Sequence, residues 1–377
     1  MDTQNSKANK TIKPQFVGEK ICLNQVVLSL PASKAVIKKN AATEYADGLY
    51  PAFSASGQDV WLPDYRYDCN GVVVSAVGAR CGKAFKASGK WNVVANTHPL
   101  ALDEEKIDWD YAWRLLNNEN WWIKSGSGQP FVKVRESLKR NIYLPPLSVQ
   151  KKFAANLERV EKQIALTKQS LAELDSLVKS RFIEMFEHDR FPTAPIGKIA
   201  LSKMPNARKA FDTTDSIRYI DISSIDSISC EVTRTTEYLL EDAPSRAQQC
   251  VSKGDLLVST VRPNLKNVAT ITLNDENLVA STGFCVLRCS ECPPEYLKTI
   301  VRSEKFTHDM CQLTTGANYP AIKNSDILNY EIPLPPKEDM NQFAAFVRQV
   351  DKLRFKTQQQ IEKLEMLKAS LMQEYFE

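Results

Sequence analysis

The chain is poor in histidine, with three in 377 residues, and it carries no long hydrophobic run. No stretch approaches the roughly 18 consecutive apolar residues that a membrane-spanning helix needs. The polar opening MDTQNSKANKTIK lacks the apolar centre of a signal peptide. A disulfide framework is equally excluded: the nine cysteines are scattered and odd in number, which points to a reducing, cytoplasmic setting. Net charge is only +4, so affinity for a polyanion must come from local basic patches.

The signatures of catalysis are missing too. His98, His188 and His308 stand in no nucleophile-like context, and there is no G-x-S-x-G. Gly78–Lys83 has the outline of a phosphate loop but is too short, and Ala84 replaces the Ser or Thr that would hold magnesium. Cys285, Cys289 and Cys292 have an iron–sulfur spacing. Cys285, however, lies inside the apolar run Gly283–Leu287, where cysteine is commonly a small buried apolar group, and no fourth zinc ligand stands at a suitable spacing. No methyltransferase tetrapeptide of the NPPY kind occurs, and Glu104-Glu105-Lys106 has no partner Asp for a nuclease core. The chain is read as non-catalytic, with no metal and no cofactor of its own.

What is present is an internal repeat. Residues 125–186 align without gaps on residues 315–376, with about a third of the positions identical. Gly126 falls on Gly316, Pro130 on Pro320, Lys133 on Lys323 and Leu138 on Leu328. Leu144-Pro145-Pro146 falls on Leu334-Pro335-Pro336, and Phe153-Ala154-Ala155 on Phe343-Ala344-Ala345. Each copy predicts the same elements: a Gly-containing loop, a short strand (Asn141–Leu144 or Tyr330–Leu334), and a Pro-Pro pair that forces an extended exit. A helix free of Pro and Gly follows, with Ser148 or Asp339 as its N-cap.

Apolar residues in the first helix follow a 4-3 spacing at Phe153, Leu157, Val160, Ile164, Leu171, Leu174 and Val178. Phe343, Val347, Val350, Ile361, Leu364 and Leu371 repeat it in the second, with Thr167 and Thr357 at matched positions. Such a stripe is a coiled-coil seam, and each helix can run roughly 60 Å at 1.5 Å per residue. The simplest arrangement packs one helix on the other; the plainer one has each covering its own domain.

Before each helix stands a mixed segment with short β-rich runs (Gly71–Val77, Asp255–Val261, Val268–Leu273, Phe284–Leu287) and helices over Trp109–Asn117 and Pro294–Met310. Val74-Ser75-Ala76-Val77 is like Val258-Ser259-Thr260-Val261, and Val94-Ala95-Asn96-Thr97 is like Val279-Ala280-Ser281-Thr282. Otherwise the segments diverge: all six tryptophans lie between Trp61 and Trp122. The expected class is α+β, organised as domain 1–147, helix 148–187, domain 188–336 and helix 337–377.

This layout resembles the specificity subunits of type I restriction–modification systems. The most specific pieces are IYLPPLSVQKKFAANLERVEKQI and EIPLPPKEDMNQFAAFVRQVDKL. GDLLVSTVRPNLKNVA with LVASTGFCVLR, and YPAFSASG with GVVVSAVGARCGKAF, resemble two types of target-recognition domain. The resemblance implies two such domains related by a pseudo-twofold and separated by two antiparallel spacer helices. Each would read half of a split site in double-stranded DNA. It also implies two methyltransferase subunits and motor-nuclease restriction subunits as partners, to which S-adenosylmethionine, ATP and magnesium would belong. A targeting subunit of another modification–nuclease enzyme, or a coiled-coil scaffold that binds no DNA, are the other readings.

Within that frame, Arg262, Asn264 and Lys266 offer donors and acceptors suited to phosphates and base edges. Arg80, Lys83 and Lys86, with Lys90 beyond, are their first-segment counterparts. A solvated basic hairpin is the alternative in both places. The loops before the repeated strands add Gln129 and Lys133, and Asn318, Tyr319 and Lys323. Lys203, Asn206, Arg208 and Lys209 form a further basic loop suited to phosphates, and Thr282 with Gly283 allows close backbone approach or a plain tight turn.

Overall fold

The computed structural model describes residues 18–31, 36–186, 191–226, 229–315 and 320–376. They form two compact units, Met1–Leu166 with Ile361–Glu377, and Thr167–Gln360. The division falls inside each long helix, so each unit owns part of both.

The same topology is built twice. In the first unit an antiparallel sheet has the order Val27–Ser29, Thr97–Leu102, Gly71–Ser75, Ala84–Ala87. A second sheet runs Gly57–Leu62, Tyr50–Ser54, Lys90–Val93, Tyr67–Asp68, with its middle pair parallel. A ribbon joins Glu19–Cys22 to Asn141–Leu144. In the second unit the corresponding sheets are Ala200–Leu201, Phe284–Cys289, Leu256–Ser259, Val268–Thr270, and Thr236–Leu239, Ser216–Ile220, Leu278–Ser281, Ala247–Cys250, again with the middle pair parallel. Thr193–Pro195 pairs with Glu331–Pro333 as the ribbon. Gly71–Ser75 and Leu256–Ser259 are inner strands, and every residue in both is buried. That burial explains their continuous apolar character.

Two local expectations need correction. The helix expected over Pro294–Met310 is two helices, Pro294–Val301 and Glu304–Gln312, because the Ser303 side chain accepts from the Phe306 N–H and caps a new start. The long helices are Leu147–Phe186 and Lys337–Phe376, each 40 residues. Ser148 and Asp339 lie inside them rather than capping them. The first free N–H groups are taken by proline carbonyls: Pro146 O accepts from Val149 and Gln150, and Pro336 O from Asp339 and Met340. Proline at this point gives up no N–H and presets the turn.

Each unit holds its own share of the seam residues. In the first, Phe153 and Leu157 are buried, and Val160 and Ile164 half-buried. Phe153 stacks on Tyr375 with ring centroids 3.7 Å apart, and Tyr111 packs on Phe376 at 4.9 Å. Ile361 is buried, and Leu364 and Leu371 are partly so. In the second unit Phe343, Val347 and Val350 are buried, and Phe343 meets Phe182 and Phe186 at 5.6 and 5.4 Å. Leu171, Leu174 and Val178 are half-buried there. The helices run antiparallel within each unit. Gln150, fully buried, secures the entry of the first helix: its amide donates to Pro145 O and Lys106 O and accepts from the Asp108 N–H.

Ion pairs flank the apolar contacts. Glu161 accepts from Arg114 at 2.8 Å and lies 2.9 Å from Lys368 Nζ. Burial alone would raise the Glu161 carboxyl, but the bonds from Arg114 and Lys368 outweigh it and hold the group below its ordinary value. The stability this supplies is therefore complete above the unfolded pKa and is lost as pH falls through the depressed folded one. Melting curves should show Glu161→Gln less stable than the parent at pH 7, the two converging in acid. Phe343→Ala should cost about 3–5 kcal/mol by urea unfolding, whereas Phe355→Ala, at an exposed position, should stay within about 0.5 kcal/mol.

Candidate nucleic-acid interface

Three segments singled out in the second half of the sequence meet at one place. Thr260 donates its N–H and its hydroxyl to Gly283 O, both at 2.9 Å. Thr260 O accepts from the Ile322 N–H at 2.9 Å, and the Arg262 N–H donates to Pro320 O at 2.8 Å. The basic loop, the Thr282–Gly283 turn and the start of the repeated segment thus share one hydrogen-bonded junction. From it the loop leaves with Arg262 at φ +49° and Lys266 at φ +51°, both left-handed, around a single 3₁₀ turn over Pro263–Leu265. Pro263 is buried; Arg262, Asn264 and Leu265 are exposed. Lys266 Nζ lies 2.5 Å from the Glu304 carboxylate, and this hydrogen bond holds that carboxyl below its usual range.

The first unit builds the junction from different residues. Ala76 donates to Asn96 O, Val132 to Ala76 O and Gly78 to Pro130 O, each at 2.9 Å. Gly78, with φ +98°, stands where the other unit has Arg262. The Asn96 carbonyl does the work of Gly283, so the sequence likeness that set Asn96 beside Ser281 is out of register. The connection from Val93 to Thr97 is one residue longer than that from Ser281 to Phe284. Beyond Gly78, Arg80 is exposed, and Lys83 is half-buried with Nζ 5.8 Å from the Phe85 ring centre.

The remaining candidates divide. Gln129, Lys209, Thr282 and Lys323 are exposed, and Lys133 pairs with Glu136 at 3.2 Å beside the junction. Lys86 and Arg208 are instead held by neighbours, although Arg208 stays exposed. Lys86 is paired with Asp110 and lies 4.3 Å from the Trp109 ring centre; Arg208 donates to Leu240 O at 3.3 Å and Ala243 O at 3.0 Å, fastening that turn. Asn318 and Tyr319, like His188, lie outside the described residues. Three exposed side chains near the junctions went unnoticed in the sequence. They are Phe131, which repeats the position of Ala321, Leu265 at the loop tip, and Arg246, whose carbonyl accepts from the Thr282 N–H. The repeat alignment could have flagged Phe131; nothing in the sequence marks Arg246.

Cys285 is fully buried, and burial pushes its thiol up to about 11. Among the described residues no group of three or more His, Cys, Asp or Glu side chains could hold a metal ion, and no helix is long and apolar enough to cross a membrane.

With this duplicated architecture in view, the comparisons with known proteins converge. The family described as the type I restriction modification DNA specificity domain matches the chain twice, over residues 19–176 and 196–366. The chain belongs to that family, and it is an α+β specificity protein with two recognition domains and two long linker helices. It is 26% identical over 326 residues to the type I restriction enzyme MjaVIII specificity subunit of Methanocaldococcus jannaschii, covering 78% of this chain and 76% of that one. Its fold is similar to the S subunit of a type I system from M. genitalium, with a TM-score of 0.57 at 12% identity over 97% and 98% of the two chains. A chain from a structure describing complex assembly and conformational transition of the type I system matches with a TM-score of 0.58 at 16% identity, over 95% and 97%.

The loop before the first junction offers a direct test of backbone geometry. Gly126 has φ +94°, and a Cβ there would lie 2.7 Å from Gln129 O, whereas a Cβ on Gly128 meets nothing within 4 Å. Gly126→Ala should destabilise the first unit by about 1–3 kcal/mol, and Gly128→Ala should be near neutral in the same urea titration.

Proposed function

We propose that the chain reads a two-part site in double-stranded DNA, one half with each unit, and leaves the chemistry to partner subunits. The observation that carries this is the repeated junction: one backbone arrangement used twice, presenting Arg80 and its neighbours in one unit and Arg262, Asn264 and Lys266 in the other. Arginine and asparagine on a fixed loop suit the paired acceptors of guanine and the donor–acceptor edge of adenine. Phe131 and Leu265, exposed beside them, suit a thymine methyl.

Partners are the second part of the proposal. Two methyltransferase subunits would supply S-adenosylmethionine chemistry on a base turned out of the stack, and motor-nuclease subunits would bring ATP and magnesium. Large apolar side chains exposed on the long helices favour such docking: Leu166 and Met366 in the first unit, Leu177, Leu353 and Phe355 in the second.

Methylation-sensitive sequencing of DNA from cells expressing the chain with its methyltransferase partner should reveal one bipartite motif. Arg262→Ala with Lys266→Ala should cost about 1–3 kcal/mol for each base interaction removed, relaxing one half of the motif and leaving the other intact. Equal loss of preference in both halves would count against separate reading by the two units.

A further inference from the structure

A cavity of about 350 Å³ opens within the second unit, between the two short helices and the paired long helices. Its wall is unevenly charged, with six cationic against three acidic side chains. The acidic ones are already engaged: Glu304 with Lys266, and Asp175 and Asp351 both with Arg354. Lys305 turns to Asp309 and the Tyr330 hydroxyl. Lys179, Lys298 and Arg302 line the same wall, and Lys179 adds its charge to that of Lys266 in holding the Glu304 carboxyl down. The helix Glu304–Gln312 also begins here, with Ser303, Glu304 and Lys305 all on the wall, adding the positive end of its dipole. The floor is apolar, with Val178 half-buried and Ile183 exposed beside the buried Phe182 and Val347.

Cations gathered on one wall repel one another, and an anion relieves that repulsion. A bare inorganic anion would leave the floor without a partner. A phosphate ester carrying a sugar satisfies both features, the oxyanion on the cations and the apolar face of the ring on the floor. We propose that this cavity binds a sugar phosphate. Its source is either the DNA backbone flanking the half-site read by the Arg262–Lys266 loop, to which the Lys266–Glu304 pair connects it, or a free nucleotide. The first source rests on the DNA-reading function; the second does not.

The test uses the full chain and a double variant, Lys179→Glu with Lys298→Glu, alongside Lys179→Arg with Lys298→Arg; thermal melts establish that each is folded. Calorimetric titration with adenosine monophosphate, with adenosine as the phosphate-free control, reads the free source. Selective binding of the monophosphate, weakened at least about tenfold (1.4 kcal/mol) by the Glu pair and kept by the Arg pair, supports it. Duplex binding over a salt series reads the other. The logarithmic salt slope should then shrink by about 0.9 for each phosphate that the Glu variant no longer neutralises, be restored in the Arg variant, and leave base preference in both halves unchanged. If the monophosphate does not bind and the slope does not move, the proposal is overturned. A wild-type chain with no salt-dependent duplex affinity would instead sink the DNA-reading function, and the monophosphate titration alone would then decide the cavity.

Discussion

In neither unit do the sheets close a core without the long helices. In the first, the helix-facing side of the sheet is covered by Phe153 from the start of one long helix and by Tyr375 and Phe376 from the end of the other. In the second, Phe182 and Phe186 end the first helix and pack against both Tyr296 and Phe343, which begins the second. Aromatic burial of this size dominates a small core. The long helices are thus parts of each unit's hydrophobic interior, which is why compactness divides the chain inside them. A strand order repeated in both units can diverge widely in sequence so long as these aromatic closures persist.

Apolar stripes alone would tolerate several registers. In the repeat alignment Arg354 falls on Ile164 and Lys368 on Val178, so the second helix carries cations at two positions where the first carries aliphatic residues. Each finds a carboxylate on the first helix, Asp175 for Arg354 and Glu161 for Lys368. A shifted pairing would leave these charges against apolar neighbours, at a cost of several kcal/mol if buried. Polar residues in a seam choose the register and give up some stability to do so.

The periodic and local features were legible in the sequence. A gapless repeat, a Pro-Pro exit and a 4-3 stripe depend on residues close together, and they fixed the duplicated plan and the helices almost to their ends. The basic loops were legible as loops for the same reason. Their surroundings were not. Lys86 looks as available as Lys83 in one dimension, yet Asp110 and Trp109 on a helix more than twenty residues away hold it. Arg208 is likewise taken by carbonyls of a turn that begins at Leu240. The break at Ser303 was hidden because the residues on both sides favour helix, and only the capping geometry reveals the stop.

The loop in the second unit shows how the framework is separated from the surface proposed to read DNA. The left-handed backbone that Gly78 adopts freely in one unit is imposed on Arg262 in the other, at a cost of order 1 kcal/mol. The strain is sustained because hydrogen bonds to Pro320 and from Leu265 pin that residue on both sides. The Lys266 ammonium is then matched by Glu304 rather than left to attract any phosphate. A cation already paired gains less from a duplex than a solvated one, because DNA must displace an existing partner. The sequence-independent attraction is trimmed, in keeping with a net charge of only +4. What survives the exchange depends on the groups that meet the loop, and discrimination is a difference between such affinities. On the proposed reading, a modestly charged loop with its lysine held in place favours selectivity over tight binding to any DNA.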